Sequence, residues 1–273
     1  MRRDPTGQAV WVLRQLAVVL LGIVVYFGVR GLTAGRPSTA VAHAHAIVAF
    51  ESHVGLHQEQ RLQDLVVGNA VLTDAANWIY IWGHWPVIIV VMLWLGLRHR
   101  QGFLRLRNAM IASGAVGLVV YATYPVAPPR LTDLGLIDTV TERSKAYRVL
   151  QPPGFVNQYA AMPSLHVGWD LLVGLAVASA ATVLWLRILG YLMPVLMALA
   201  VVFTANHYLI DGIAGAALAL AGLGAALWWE RRQARERTVV DLTAIEKATQ
   251  VAPPSPRKPP ERLSSVRQRS WAD

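Results

Sequence analysis

Residues 205–229 read ANHYLIDGIAGAALALAGLGAALWW. From Asp211 to Glu230 lie 18 uncharged residues. Small residues recur in them at spacings of three and four, which lets helices approach closely. Trp228 and Trp229 close the run as interfacial anchors do. About 20 apolar residues in a helix cross the hydrocarbon core, so the stretch reads as a membrane helix with a polar start. His207 and Asp211, four apart, share a helix face with Cβ atoms about 5–6 Å apart. A carboxylate placed there accepts from one ring nitrogen, fixes the tautomer and leaves the other nitrogen nucleophilic. Polar groups in membrane segments are costly and point to function.

The rest of the chain fits the same solvent. Of its 273 residues 55% are apolar and only 15% charged, with ten Trp and no Cys. A soluble domain carries about 25% charge. The absence of Cys excludes disulfides, thiolate nucleophiles and Cys-ligated zinc. Charges cut the sequence into membrane-sized pieces: 15 uncharged residues between Arg14 and Arg30, 23 between Asp74 and Arg98, 22 between Arg107 and Arg130, and 23 between Arg187 and Asp211. Between Arg148 and Arg187 the one charge is Asp170. Spans are predicted at 10–32, 72–97, 105–126, 163–181, 184–204 and 207–229. The β-branched run Val87 to Val91 lies in a piece too long for a strand, and no barrel alternation occurs. The first span has a signal-like start in Arg2 and Arg3, but its apolar stretch is long for a signal and no small-x-small site follows directly. It is read as a span.

The fold class is thus an all-α membrane protein: a six-transmembrane-helix bundle with outer interfacial helices and a disordered basic C-terminal tail. Residues 1–230 form the membrane domain. Its outer segment 33–71 is read as one or two interfacial helices from the spacing of Ile47, Phe50 and Val54. Its outer loop 127–162 is marked by Pro128, Pro129, Pro152, Pro153 and Gly154. Residues 231–273 hold ten Lys/Arg, five Asp/Glu and five Pro, a composition that builds no core. The net charge of +9 is read as positive-inside anchoring and anionic lipid contact by this tail, not nucleic-acid binding. Arg2, Arg3, Arg98, Arg100, Arg105, Arg107, Arg187, Arg231, Arg232, Arg235 and Arg237 are the denser basic set. Both termini are therefore expected in the cytoplasm, with the protein multi-pass in the plasma (cytoplasmic) membrane.

That orientation collects the polar outliers on the extracytoplasmic face. The third span emerges at Arg130 in YPVAPPRL, the fourth starts at Ser164 and His166 in AMPSLHVGW, and the sixth starts at His207 and Asp211. Arg130 offers a planar fork suited to phosphate. Ser164 is placed to cap the fourth helix, whose start offers N–H groups and a positive dipole end to an anion. His166 is placed to protonate a leaving oxygen, a service worth about 10²–10⁴-fold. A nucleophile, an acid and an anion cradle together fit phosphoryl transfer through a phosphohistidine.

The motifs PSLH and HYLID, with YPVAPPR upstream, resemble those of the type 2 phosphatidic acid phosphatase superfamily. The segments FESHVGLHQEQRLQ and NWIYIWGHWP resemble its inositol phosphorylceramide synthase-like branch. The likeness covers roughly residues 45–225. It implies a six-helix membrane core and a metal-independent reaction, with His207 as nucleophile, Asp211 as its partner, His166 as general acid, and Ser164 and Arg130 holding phosphate. The chain departs from the superfamily at Thr123, Leu131, Ala200 and Val201, where Lys, Pro, Ser and Arg are usual, so two phosphate-binding cations are missing. Lys145 or Arg148 is a candidate replacement.

Asp170 repeats the four-residue spacing after His166. It is read either as hydrogen-bonding His166 and favouring its acid form, or as facing a wet cavity or pairing with Arg187 or another span. Glu51, Glu59 and His84 are read as pocket or structural residues. His43, His45, His53 and His57 are read as solvated, because no acidic base sits at a zincin spacing from His53 and His57. No metal and no cofactor are expected. The partner is a membrane lipid phosphate. Hydrolysis is ranked ahead of headgroup phosphotransfer to an alcohol. A lipid transporter and an idle scaffold are the alternatives outside catalysis, and the inverted halves of a transporter are absent.

Overall fold

The structure, a computed structural model, describes residues 5–32, 37–143 and 158–251. Those residues form helices α1 (Pro5–Leu32), α2 (Pro37–His53), α3 (Glu59–Val67), α4 (Ala70–Trp82), α5 (Trp85–Arg98), α6 (Arg100–Thr123), α7 (Thr139–Arg143), α8 (Leu165–Ala180), α9 (Leu184–Phe203) and α10 (Leu209–Val251). A 3₁₀ turn covers Pro129–Leu131. One isolated parallel bridge pairs Val126 with Ala160. The described residues hold no strand, in keeping with apolar runs too long for strands.

Four described helices are long and apolar enough to cross a membrane: α1 over Ala9–Val29, α6, α9, and α10 over Leu209–Val240. α4 and α5 together make a fifth, bent by 45°. The bend has a local cause. Gly83 and His84 leave the helix, and a Pro in the first turn of α5 carries no N–H to continue the ladder. The span predicted at 163–181 is α8. Its 16 residues make about 24 Å of helix, short of the roughly 30 Å core. Large apolar side chains face outward along these helices, among them Val24 on α1, Leu97 on α5 and Trp185 on α9.

Small residues set the packing inside Met1–Glu230, the first of two compact units. A Cβ at Gly168 on α8 would sit 2.5 Å from the Gly215 carbonyl oxygen on α10, and one at Gly215 would run into the Ser164 carbonyl. A Cβ at Gly222, two turns on, would meet the Ala109 carbonyl oxygen of α6 at 2.7 Å. Gly174 on α8 and Gly190 on α9 are opposed in the same way. Gly215 and Gly222 of α10 are thus internal contacts of the bundle. Gly215→Ala is expected to cost about 1–3 kcal/mol by overpacking, read as a lower Tm in detergent. Gly224→Ala, where a Cβ meets nothing within 4 Å, is expected to leave Tm unchanged or raise it, since Ala is the better helix former. Equal effects at the two positions would discard this account.

The segment predicted to carry one or two helices carries α2 and α3. The buried face of α2 is Ala40, Ala44, Ile47 and Glu51, a helical stripe packed with Val126, Ala127, Ala161 and Tyr208. The expected stripe of Ile47, Phe50 and Val54 holds only at Ile47. Phe50 and Val54 are about half exposed, at 53% and 47%, because the neighbours pack on the Ala side. Gln63 of α3, 1% exposed, ties two elements together. Its Nε2 donates to the carbonyls of Ile137 (2.9 Å) and Phe203 (3.1 Å), and the Ile137 N–H donates back to its Oε1 (2.8 Å).

The second unit is Arg231–Asp273. Where the sequence reads disorder across 231–273, α10 stays helical to Val251. The reason is local: the first Pro beyond Glu230 is Pro253, and Ala, Arg and Glu before it favour helix. An Arg232–Glu236 pair at 3.0 Å adds an i,i+4 contact. Residues 252–273 lie outside the described residues.

Candidate active site

The site is built where α8 and α10 begin. Ser164 caps α8 as predicted, its Oγ accepting from Val167 N at 3.4 Å. Its own N–H donates to the Asp211 carbonyl at 2.9 Å, so the two helix starts are joined through backbone. Before α10 the chain turns sharply at Ala205, whose φ of +52° costs an L-residue about 1 kcal/mol or more. Surrounding bonds hold that turn. The Ala205 carbonyl accepts from Arg130 N at 3.0 Å. Asn206 Nδ2 donates to Thr204 O (3.1 Å) and Oγ1 (2.9 Å).

His207 is 5% exposed. Its Nδ1 lies 2.7 Å from the Ala161 carbonyl oxygen and 3.5 Å from Asp211 Oδ2. A carbonyl only accepts, so Nδ1 carries the proton and Nε2 keeps its lone pair. The sequence assigns the tautomer to Asp211. The structure gives that bond to Ala161, and Asp211 Oδ2 accepts from Tyr208 N at 2.9 Å. Asp211 is fully buried beside the ring.

His166 faces this ring. The centroids are 5.8 Å apart. Tyr80 stacks on His166 at 4.8 Å and 27°, and His84 lies 4.3 Å away. Asp170, one candidate partner of His166, pairs with His84: Oδ1 is 2.7 Å from His84 Nδ1, with both side chains under 5% exposed. His84 reaches this place because of the α4–α5 bend. Arg130 joins from the 3₁₀ turn. Nε donates to Asn206 Oδ1 (2.9 Å) and Nη1 to Asp138 Oδ2 (3.1 Å). Two of its five N–H donors are thus spent on fixing it beside the residue before His207.

Glu51 and Glu59 meet the first turn of α10. Glu59 Oε1 accepts from Leu209 N at 2.9 Å and Glu51 Oε1 from Ile210 N at 2.7 Å. With Asp211 on Tyr208 N, three buried carboxylates serve three successive N–H groups. The positive end of the helix dipole suits them. Burial pushes the Glu51 carboxyl up to about 8, with the neighbouring Glu59 charge adding to the rise and the Ile210 N–H opposing it.

His207, Asp211, His166, Ser164, Arg130, Asp170, His84 and Glu51 therefore converge on the starts of α8 and α10. Lys145 and Arg148 lie outside the described residues. The histidine cluster of the outer segment separates: His43 Nδ1 is 2.8 Å from the Pro125 carbonyl oxygen with its ring stacked on Tyr124, His45 lies 3.4 Å from Asp133, His57 turns to Glu59, and His53 is exposed. Asn206 and Tyr80 are site residues that the sequence does not announce. Asn206 stands next to His207, which is the one signal that marks it; Tyr80 carries none.

An apolar groove of about 460 Å³ opens beside these helix starts, lined by Ala46, Ile47, Phe50, Tyr124, Met162 and Ile210. Met162 is two residues before Ser164 and Ile210 one before Asp211, so the groove borders both motifs.

A family model described as PAP2 superfamily matches residues 45–225, about two thirds of the chain. Comparison with curated proteins and with solved structures gives no match.

Proposed function

The chain belongs to the PAP2 superfamily, that of the type 2 phosphatidic acid phosphatases, and on that premise we propose that it cleaves a membrane lipid phosphate through a phosphohistidine on His207. The observation that carries this reading is the pair of imidazoles 5.8 Å apart, one holding its proton on Nδ1 against Ala161. His207 Nε2 attacks phosphorus as the bond from phosphorus to the lipid oxygen breaks. His166 gives that oxygen its proton. Water then attacks the phosphohistidine, returns a proton to His166 and releases phosphate as the N–P bond breaks. Arg130 and the first N–H groups of α8 take the charge on the equatorial oxygens, and Asp211 the charge on the imidazolium. The step so written places no metal on the reacting atoms.

The groove beside Met162 and Ile210 is the place for an acyl chain. We read α8 as a sixth crossing whose short length sets His166 below the outer membrane surface. α2 and α3 then lie at that surface, both termini are cytoplasmic, and the basic start of the second unit meets anionic lipid.

A second reading, headgroup transfer to an alcohol, is favoured by Thr123, Ala200 and Val201 standing where the superfamily has or adjoins cations. Fewer cations suit a phosphodiester, with its single negative charge, better than a phosphomonoester. Purified protein should be incubated with phosphatidic acid and with phosphatidylinositol, each with and without a lipid alcohol such as ceramide. Free phosphate from phosphatidic acid is the expected result. A new phosphodiester lipid formed only with alcohol would establish transfer. No turnover on any lipid would remove both readings and leave transport or scaffolding.

A further inference from the structure

Close to the starts of α8 and α10, but outside the chemistry above, three side chains leave polar atoms unsatisfied. Glu51 and Glu59 are 0% and 1% exposed. Each spends Oε1 on α10, and each Oε2 is buried without a hydrogen-bond partner, as is His57 Nδ1. A buried oxygen of a carboxylate with no partner costs far more than a bond made in water. The three side chains lie together. His57 Nδ1 is 3.0 Å from Glu59 Oε2 without hydrogen-bond geometry. One ligand atom from each of Glu51, His57 and Glu59 lies within 4.8 Å of the other two. Donor atoms this close, on side chains that each leave a polar atom unbonded, can close on one small cation.

We propose that Glu51, Glu59 and His57 bind one first-row divalent cation. The donor set decides the class: an imidazole nitrogen beside two carboxylates suits zinc or manganese better than calcium or magnesium. Three protein ligands leave open positions for water. The Leu209 and Ile210 N–H groups hold the far oxygens of both carboxylates and orient them. The cation is therefore a brace: it ties the α2–α3 turn to the first turn of the helix that follows His207. His53 has no part in it, since it is exposed and outside the cluster. The inference does not depend on the phosphoryl-transfer reading, and phosphate release is not its readout.

The untagged full chain in detergent, stripped with chelator, should be titrated separately with Zn²⁺ and with Mn²⁺. One ion per chain by elemental analysis is expected, with Tm raised by about 5–10 °C at saturation. His57→Gln, at the edge of the cluster, is expected to fold and lose both the ion and the Tm shift. His53→Gln is expected to keep both. Wild-type protein that binds neither ion and shows no shift in Tm overturns the proposal and assigns the two carboxyls a shared proton. Full stoichiometry retained in His57→Gln overturns it as well, as does loss in His53→Gln. Should His57→Gln fail to fold, the wild-type titration still decides.

Discussion

Replacing His207 by Gln is expected to lower lipid phosphate turnover by about 10⁴-fold or more, the scale on which a covalent catalyst fails without its nucleophile. Gln keeps most of the volume and an amide able to reach the Ala161 carbonyl, which now accepts at 2.7 Å. It has no lone pair of imidazole basicity, so no bond to phosphorus forms. The rest of the pocket does not lean on the ring. Arg130 is fixed by Asn206 and Asp138, and Ser164 N by the Asp211 carbonyl. Tm should therefore stay close to wild type, and substrate should still bind. A quench with radiolabelled phosphatidic acid makes the test direct. Wild-type protein should carry a label that is stable in alkali and lost in acid, as a phosphoramidate is, and His207→Gln should carry none. A label of equal size on the variant would place the covalent step elsewhere or abolish it.

The geometry behind that prediction is partly readable from sequence. The spacing of four marks His207 and Asp211 as neighbours, but His207 stands before α10, which begins at Leu209, so the turn into the helix and not the helix period brings them together. Ser164 before LHVGW reads as a cap from local sequence alone. The recurrence of small residues in α10 reads as close packing, which Gly168, Gly215 and Gly222 bear out. What escapes such reading are contacts made between distant segments. Asp170 meets His84, 86 residues away, only because Gly83 and Pro86 bend the α4–α5 span. Glu59 and Glu51 reach Leu209 and Ile210 across 150 and 159 residues. The sequence reads them as pocket or structural residues but names no partner, since no periodicity marks a carboxylate that will cap another element. The Ala161 carbonyl that holds His207 is backbone, and side-chain patterns say nothing of it. The end of α8 is read to within a residue: the span predicted to close at 181 ends at Ala180, and the chain turns to extended backbone at Ala181.

His166→Gln is expected to lower the rate of phosphohistidine formation from a lipid alkyl phosphate by about 10²–10⁴-fold, and the size of the loss should depend on the leaving group. An alkoxide is strongly basic and cannot depart without a proton, so the acid is needed in full. An aryl oxide leaves as an anion, so a water-soluble aryl phosphate should lose far less. The structure gives His166 the fixed geometry that such a role needs. Tyr80 stacks on the ring, and His84, pinned by Asp170 at 2.7 Å, packs close by. The ring therefore stays 5.8 Å from that of His207. Measuring both substrates on the same variant separates the two uses of an imidazole. If His166 only bound phosphate, both rates would fall together, because the transferred group is the same in each. A loss of equal size for alkyl and aryl substrates would therefore refute proton donation by His166, while leaving the attack by His207 standing.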